Sequence, residues 1–304
     1  MNQLPIVWDA GYSPDFPKSH RFPMEKFQLL KNWVDENVSN TLLFSPKPCP
    51  LDVLCNAHDP EYVNAFQAGT LNAKAIREIG LPWSQGLADR TVLALGGSIK
   101  TCELANEFGL ASHLAGGTHH AHWSRGSGFC IYNDLAVSAR YLITKGLASR
   151  VLIFDCDVHQ GDGTASILAN DQNIFTCSIH AEKNFPVRKV ASDLDVNCPD
   201  GMTDDNYVSL VLESLESVLV SWHPDFVIFD AGSDVHADDS LGRLLISTDG
   251  LWRRDYHVIS RIRAVGIPCA TVIGGGYGKD RVQLAARHGV VISAAASLLN
   301  DQFP

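Results

Sequence analysis

An α/β fold, with one parallel sheet flanked by helices on both faces, is predicted by three observations. Strand-like and helix-like segments alternate through most of the 304 residues. The strand-like segments are unbroken apolar runs, such as Val151–Phe154 and Phe226–Phe229, without the polar alternation of a sheet that wets one face. Polar clusters then follow these runs: Gly116–His120, Asp155–Asp162, Ser178–His180, Gly232–Asp234 and Gly274–Tyr277. That is the placement expected of a ligand site along the carboxyl edge of a parallel sheet.

Taken in order, Leu4–Trp8 predicts a first strand, and Gly11–Pro23 a loop carrying His20 and Arg21, where a binding rim can lie. Met24, Phe27, Leu30 and Val34 recur at helical spacing and predict a helix over Met24–Asn37. Ser45–Pro50 is a connection, and Asp59-Pro60 opens a short helix within His58–Phe66. After a loop at Pro82-Trp83, a long helix runs over Arg90–Phe108, and Gly109–Ala115 leads into the Gly116–His120 loop. Helices are predicted over Asn133–Lys145, Asp204–Ser221, Asp249–Val265 and Asp280–Asn300. Strands are predicted over Val151–Asp155, Asn173–Ser178, Phe226–Asp230 and Pro268–Ile273. No repeat, low-complexity tract or linker interrupts the pattern, so residues 1–304 read as a single domain.

Apolar residues make up 45% of the chain and charged ones 19%, enough for a sizeable core. A formal net charge of −10 argues against a nucleic-acid binder, which needs a basic surface. The first residues lack the basic and apolar regions of a signal peptide, and no unbroken apolar run is long enough to predict a membrane span. The eight cysteines form no C-x-x-C pair and lie scattered, several in apolar runs, which predicts buried thiols in a reducing, cytoplasmic setting. Cys130 and Cys156 lie beside the polar clusters, where a redox role is conceivable, though buried thiols are usually inert.

The chemistry centres on Val151–Gly163, VLIFDCDVHQGDG. On a strand, Asp155, Asp157 and His159 would share one side. Asp162 follows in a Gly-Asp-Gly turn. Asp157 and His159 offer an oxygen and a nitrogen, and Asp234 completes an O/N/O set suited to zinc, with iron or cobalt also compatible. Asp230, Asp238 and Asp239 are rivals for the third place; Asp230 falls within the strand and Asp238-Asp239 can cap a turn. His119 and His120 can serve as a general base and a general acid, with Asp155 and Asp162 to hold their far nitrogens. Tyr277, after three glycines, can donate to a developing oxyanion. Together these groups suit metal-assisted hydrolysis of an amide. The glycine run fails G-x-G-x-x-G, since Lys279 holds the sixth place, and neither a Walker loop nor a G-x-S-x-G elbow occurs. His122, His180 and His236 stay unassigned, and His113, His223, His257 and His288 read as surface or core residues.

Seven segments, in order, resemble the histone deacetylase family: HRFPM (20–24), HDPEYVNAF (58–66), GGTHHA (116–121), GFCIYND (128–134), DCDVHQGDG (155–163), AGSDVHADDSLG (231–242) and GGGY (274–277). The first of them, the short Leu81–Ser84 loop and the compact length look most like its class IV and bacterial branch. The resemblance implies the arginase/deacetylase fold, with zinc on Asp157, His159 and Asp234. It implies a His119/His120 pair backed by Asp155 and Asp162, with His120 as base and Tyr277 as oxyanion donor. Phe129 would wall an acyl-lysine tunnel, with Gly128 and Gly275 beside the substrate. A structural potassium ion is implied near Asp155, Asp157, His159, Ser178 and Ile179. The implied substrate is an acylated lysine in a peptide or protein, and the implied partners include neither nucleic acid nor membrane. Alternatives are a small acylated amine, such as an acetylpolyamine, as substrate, or a catalytically silent acyl-lysine binder. A dinuclear ureohydrolase would need further carboxylates where Gln160 and Gly161 stand. The family's acidic residue that grips the substrate backbone has no clear match here.

Overall fold

The computed structural model describes residues 3–300. Its strands are β1 (Leu4–Val7), β2 (Thr41–Phe44), β3 (Leu110–His113), β4 (Val151–Asp155), β5 (Ile174–Ala181), β6 (Leu194–Cys198), β7 (Phe226–Asp230) and β8 (Cys269–Val272). They form one parallel sheet in the order β2-β1-β3-β8-β7-β4-β5-β6. Every residue of β1, β3, β4, β7 and β8 is buried, as a sheet covered on both faces requires. The chain adds β3 beside β1, then crosses to β4 and fills the gap with β7 and β8, so the strand order changes direction at the sheet centre. A ligand crevice opens beyond the strand ends at such a point.

The helices are α1 (Lys26–Asn37), α2 (Leu51–Leu54), α3 (Pro60–Gln67), α4 (Ala73–Ile79), α5 (Gln85–Phe108), α6 (Asp134–Thr144), α7 (Asp162–Leu168), α8 (Asp204–Trp222), α9 (Thr248–Ala264) and α10 (Arg281–Asn300). One group packs in the series α1-α10-α9-α8, another in the series α5-α6-α7, and α10 and α5 both lie on β1 and β3. Each group packs mainly within itself among the described residues while sharing β1 and β3 with the other, which puts the two on opposite faces, as the sequence predicts.

The differences from the sequence reading have local causes. α5 begins at Gln85, upstream of Arg90, because the Ser84 hydroxyl accepts from the Leu87 N–H at 3.1 Å. It ends at Gly109, whose φ of +86° suits glycine. β2 and β6 were not expected. Both are short edge strands of mostly half-buried residues, so neither presents a buried apolar run. α4 and α7 also appear where no helical period is read in the sequence, and Asp162 is the first residue of α7 rather than part of a turn. By length and composition α10 could cross a membrane; 67% of its apolar window is buried, and it packs on α1 and α9.

Candidate metal centre and active site

β4 ends at Asp155, so strand alternation does not bring Asp157 and His159 together. Two overlapping Asx turns do. The Asp157 N–H donates to Asp155 Oδ1 and the His159 N–H to Asp157 Oδ1, each at 2.9 Å. Asp234, four residues beyond the end of β7, closes the group: ligand atoms of Asp157, His159 and Asp234 all lie within 4.8 Å of one another. His159 Nδ1 is 3.0 Å from Asp157 Oδ1 and 3.1 Å from Asp234 Oδ2. The outer carboxylate oxygens are held as well. Gly275 N–H donates to Asp157 Oδ2 at 2.7 Å, and Val158 N–H to Asp234 Oδ1 at 2.8 Å.

All three side chains are buried. Burial alone would lower the His159 pKa, but the hydrogen bonds and charges of Asp157 and Asp234 outweigh it and raise the imidazole to about 10. Burial and the charge of Asp157 raise Asp234 to about 7. Two buried carboxylates this close call for a positive charge between them. An O/N/O set that converges, is preorganised by backbone N–H groups and draws in a cation fits a divalent metal with open coordination positions.

His119 and His120 lie beside this group on the loop after β3. Each donates Nδ1–H to a carboxylate at 2.7 Å, His119 to Asp155 Oδ2 and His120 to Asp162 Oδ1. Their Nε2 atoms are 3.2 Å apart. Burial opposes protonation of both rings. At His119 the charges of Asp155 and Asp157 prevail and hold the pKa well above that of a free imidazole. His120 faces the positive His119 instead, and burial with that repulsion takes it down to about 3. The pair thus divides into one charged and one neutral ring, the arrangement acid and base roles require. His122 Nε2 contacts the other oxygen of Asp162 at 3.1 Å, so Asp162 bridges two imidazoles.

Tyr277 is carried by Gly274–Gly276. A side chain at Gly275 would collide with both Asp157 and Asp234, so the segment must pass as bare backbone. Asp239 Oδ2 accepts from the Tyr277 N–H at 2.6 Å, a role the sequence did not suggest. The Tyr277 ring lines an inner cavity of about 40 Å³ together with Asp157, His159, His119, His120, Gly128 and Gly275. A wider mouth of about 230 Å³ adds Arg21, Asn184, Phe185 and Leu241. Phe129 faces both cavities at φ +66°, a left-handed conformation that costs ~1–3 kcal/mol for a residue with a side chain. Its N–H donates to Ile79 O at 2.8 Å. Gly128 passes directly against the His120 ring, where a Cβ would lie 2.5 Å from Cδ2. The aromatic residue opposite, unplaced by sequence, is Phe185. Its ring centroid is 4.8 Å from that of His120, edge-on. It follows β5 in a stretch with no period to announce it.

The remaining candidates fall as follows. Asp230 pairs in register with Asp155 and lies within 4.8 Å of His119 and Asp155 ligand atoms, away from the Asp157 group. Both its oxygens are buried and lack a hydrogen-bond partner among the described residues. Burial and the charge of Asp155 hold its carboxyl well above the usual range. Asp238 accepts no place at the centre, and its N–H donates to His236 Nδ1 at 3.0 Å. Ser178 pairs with Asp155, and its hydroxyl lies 3.0 Å from His180 Nδ1, with Ile179 buried beside it. His113 bonds Tyr12 and Ser98 in the core. All eight cysteines are free. Burial pushes the Cys130 thiol up to about 12 and holds the Cys156 thiol well above its ordinary value, so both are poor nucleophiles at neutral pH.

A model of the histone deacetylase domain matches residues 20–292. An uncharacterized protein of Picosynechococcus sp. is 47% identical over 96% of this chain and 98% of its own length. The acetoin utilization protein AcuC of Staphylococcus aureus is 30% identical over 79% of this chain and 67% of its own. Histone deacetylase 2 of Arabidopsis thaliana is 28% identical over 94% and 78%. The crystal structure of the HDA15 HD domain, at 20% identity, superposes with a TM-score of 0.80 and covers 98% of this chain and 91% of that one, which establishes the shared fold. With its family domain spanning most of the sequence and bacterial proteins among its relatives, this chain belongs to the histone deacetylase family, in a bacterial-like branch of these deacetylases.

Proposed function

We propose that this chain is a zinc-dependent hydrolase that removes an acetyl or longer acyl group from a lysine side chain, acting as one domain over residues 1–304 in a reducing, cytoplasmic setting. The observation that carries the reading is the convergence of Asp157, His159 and Asp234 beside two imidazoles whose pKa values diverge. Those three ligands would hold zinc, and the ion would supply Lewis-acid polarisation of the amide carbonyl and acidify a water. The chain does the rest. His120, with Nδ1–H tied to Asp162, keeps a lone pair on Nε2 and takes a proton from the attacking water. His119, held charged by Asp155, returns a proton to the departing amine. Tyr277 donates its hydroxyl to the developing oxyanion. Phe129 and Phe185 exclude water from the acyl-lysine stem, with Gly128 and Gly275 leaving room for it. A potassium ion near Asp155, Ser178 and Ile179 belongs to the same reading.

Among the described residues the mouth lining contains Arg21 and no carboxylate, which favours the neutral stem of an acylated lysine over a polycation such as an acetylpolyamine. Zinc-loaded protein should release acid from an acyl-lysine peptide faster than from acetylspermidine, and a chelator should stop it. Full activity after Asp157→Ala and Asp234→Ala together would end the reading. Tight binding of acyl-lysine without turnover would replace it by a silent binder.

A further inference from the structure

A buried cation is among the residues that line the inner cavity. Lys26, the first residue of α1, is 2% exposed and forms no ion pair among the described residues. Its ammonium lies 5.5, 5.4 and 5.7 Å from the ring centroids of Phe22, Phe27 and Tyr277. It donates to His288 Nε2 at 3.2 Å and, more weakly, to the Gly276 carbonyl at 3.5 Å. His288 donates Nδ1–H to Ile273 O at 3.2 Å, which leaves Nε2 as an acceptor. Burial, Lys26 and Arg287 keep that imidazole neutral.

The groups facing Lys26 come from several elements. Arg90 on α5 repels it, while Asp157, Asp234 and Asp239 at the carboxyl edge attract it. Burial outweighs them and brings the lysine down to about 8, so it is charged at neutral pH. A desolvated ammonium without a carboxylate is costly, and three ring faces offset only part of that. The same contacts fix the segment that carries Tyr277. A Cβ at Gly276 would collide with both His288 and Ser233, so the two side chains pinch the backbone one residue before the tyrosine. Ser233 also donates its N–H and hydroxyl to Gly275 O, at 2.8 and 3.2 Å.

We propose that Lys26 is a positioning residue for Tyr277: with His288 it locks the Gly274–Gly276 segment and so fixes where the ring and its hydroxyl sit. The inference rests on the proposed deacylase reading, in which Tyr277 meets the oxyanion.

A double-mutant cycle on the zinc-loaded full chain tests it, with Lys26→Met, Tyr277→Phe and their combination. The readouts are kcat and KM on an acyl-lysine peptide and the Kd of a hydroxamate. Lys26→Met should lower kcat ~10–100-fold, the range for residues supporting a site's ligands, with KM within about threefold. In the Tyr277→Phe background the same change should cost less than about threefold, and Lys26→Arg should recover most of the loss. Equal losses in both backgrounds would mark Lys26 as merely structural and overturn the proposal. If Lys26→Met does not fold, His288→Ala enters the same cycle, where coupling to Tyr277 supports the proposal and additivity overturns it. A wild-type chain without turnover defeats the deacylase reading alone, because coupling in hydroxamate Kd still decides the role of Lys26.

Discussion

Two buried charge clusters meet at Tyr277 and follow opposite rules. Along the carboxyl edge, Asp155, Asp157, Asp162 and Asp234 are met by backbone N–H groups and imidazoles at 2.7–3.1 Å. Beneath it, Lys26 and Arg90 lack carboxylate partners among the described residues and rest on rings and carbonyls; the Arg90 guanidinium lies 4.5 Å over Phe27, with Nε 3.3 Å from Tyr12 O. The negative cluster recovers its desolvation cost when a metal enters. The positive cluster has no such release among the described residues, so below pH 8 the charge of Lys26 weighs on stability. The difference teaches that the edge is built to bind and the floor to hold the segment that carries Tyr277.

The largest effect should come from emptying the edge. Asp157→Ala with Asp234→Ala should lower bound zinc from about one equivalent to a trace by elemental analysis, and turnover by more than ~10³-fold. Retained zinc would place the metal elsewhere, and His119, Asp155 and Asp230 form the next group to test.

Next in size is the split between the imidazoles. His120→Ala should reduce kcat ~10²–10⁴-fold, the span of general base catalysis, and more than His119→Ala does. Initial rates on one substrate at saturating zinc check this. A deeper loss at His119 would exchange the acid and base roles, since it would make the charged ring the more important one.

Much of the edge was legible in sequence because its parts are local or follow one topological rule. Asp155, Asp157, His159 and Asp162 stand within eight residues, and Asp234 follows an apolar run as edge residues do. Asp157 and His159 do come together, but not by strand alternation, since Asx turns beyond the strand end do the aiming. The floor was hidden because lysine reads as a solvent residue. Its position held the signal: Lys26, Leu30 and Val34 are spaced by four, so the lysine shares the buried stripe of α1. Asp239 and Phe185 lie in irregular segments, where no period says which side chain turns inward.

Stability against pH sharpens the same contrast. Lys26 falls from the 10.5 of a free lysine to about 8 in the fold. Below pH 8 it is charged both folded and unfolded, and folding bears the full cost of burying that charge. Between pH 8 and 10.5 the unfolded chain keeps the proton and the folded chain gives it up, so stability rises with pH. Urea unfolding of wild type against Lys26→Met should show their difference shift by about 3 kcal/mol in favour of wild type from pH 7 to 10.5. A metal on Asp157 and Asp234 cancels charge that supports the ammonium and acts in the same direction. A constant difference would mean the lysine is not desolvated, and the floor would lose its distinction from the edge.

The smallest effect tests the mouth against both clusters. Phe185 is 40% exposed, sets its edge against the rings of His120 and His159, and presents its carbonyl to the Gln160 N–H at 3.3 Å. A half-exposed ring that orders a substrate stem contributes about 0.5–1.5 kcal/mol beyond area, so Phe185→Ala should raise KM ~2–12-fold. The imidazole beneath keeps its Asp162 bond, so kcat should stay within about threefold. Steady-state kinetics on two acyl-lysine peptides that differ only beyond the lysine separate the outcomes. If kcat falls while KM holds, the ring serves His120 rather than substrate, and the catalytic edge extends outward to the rim.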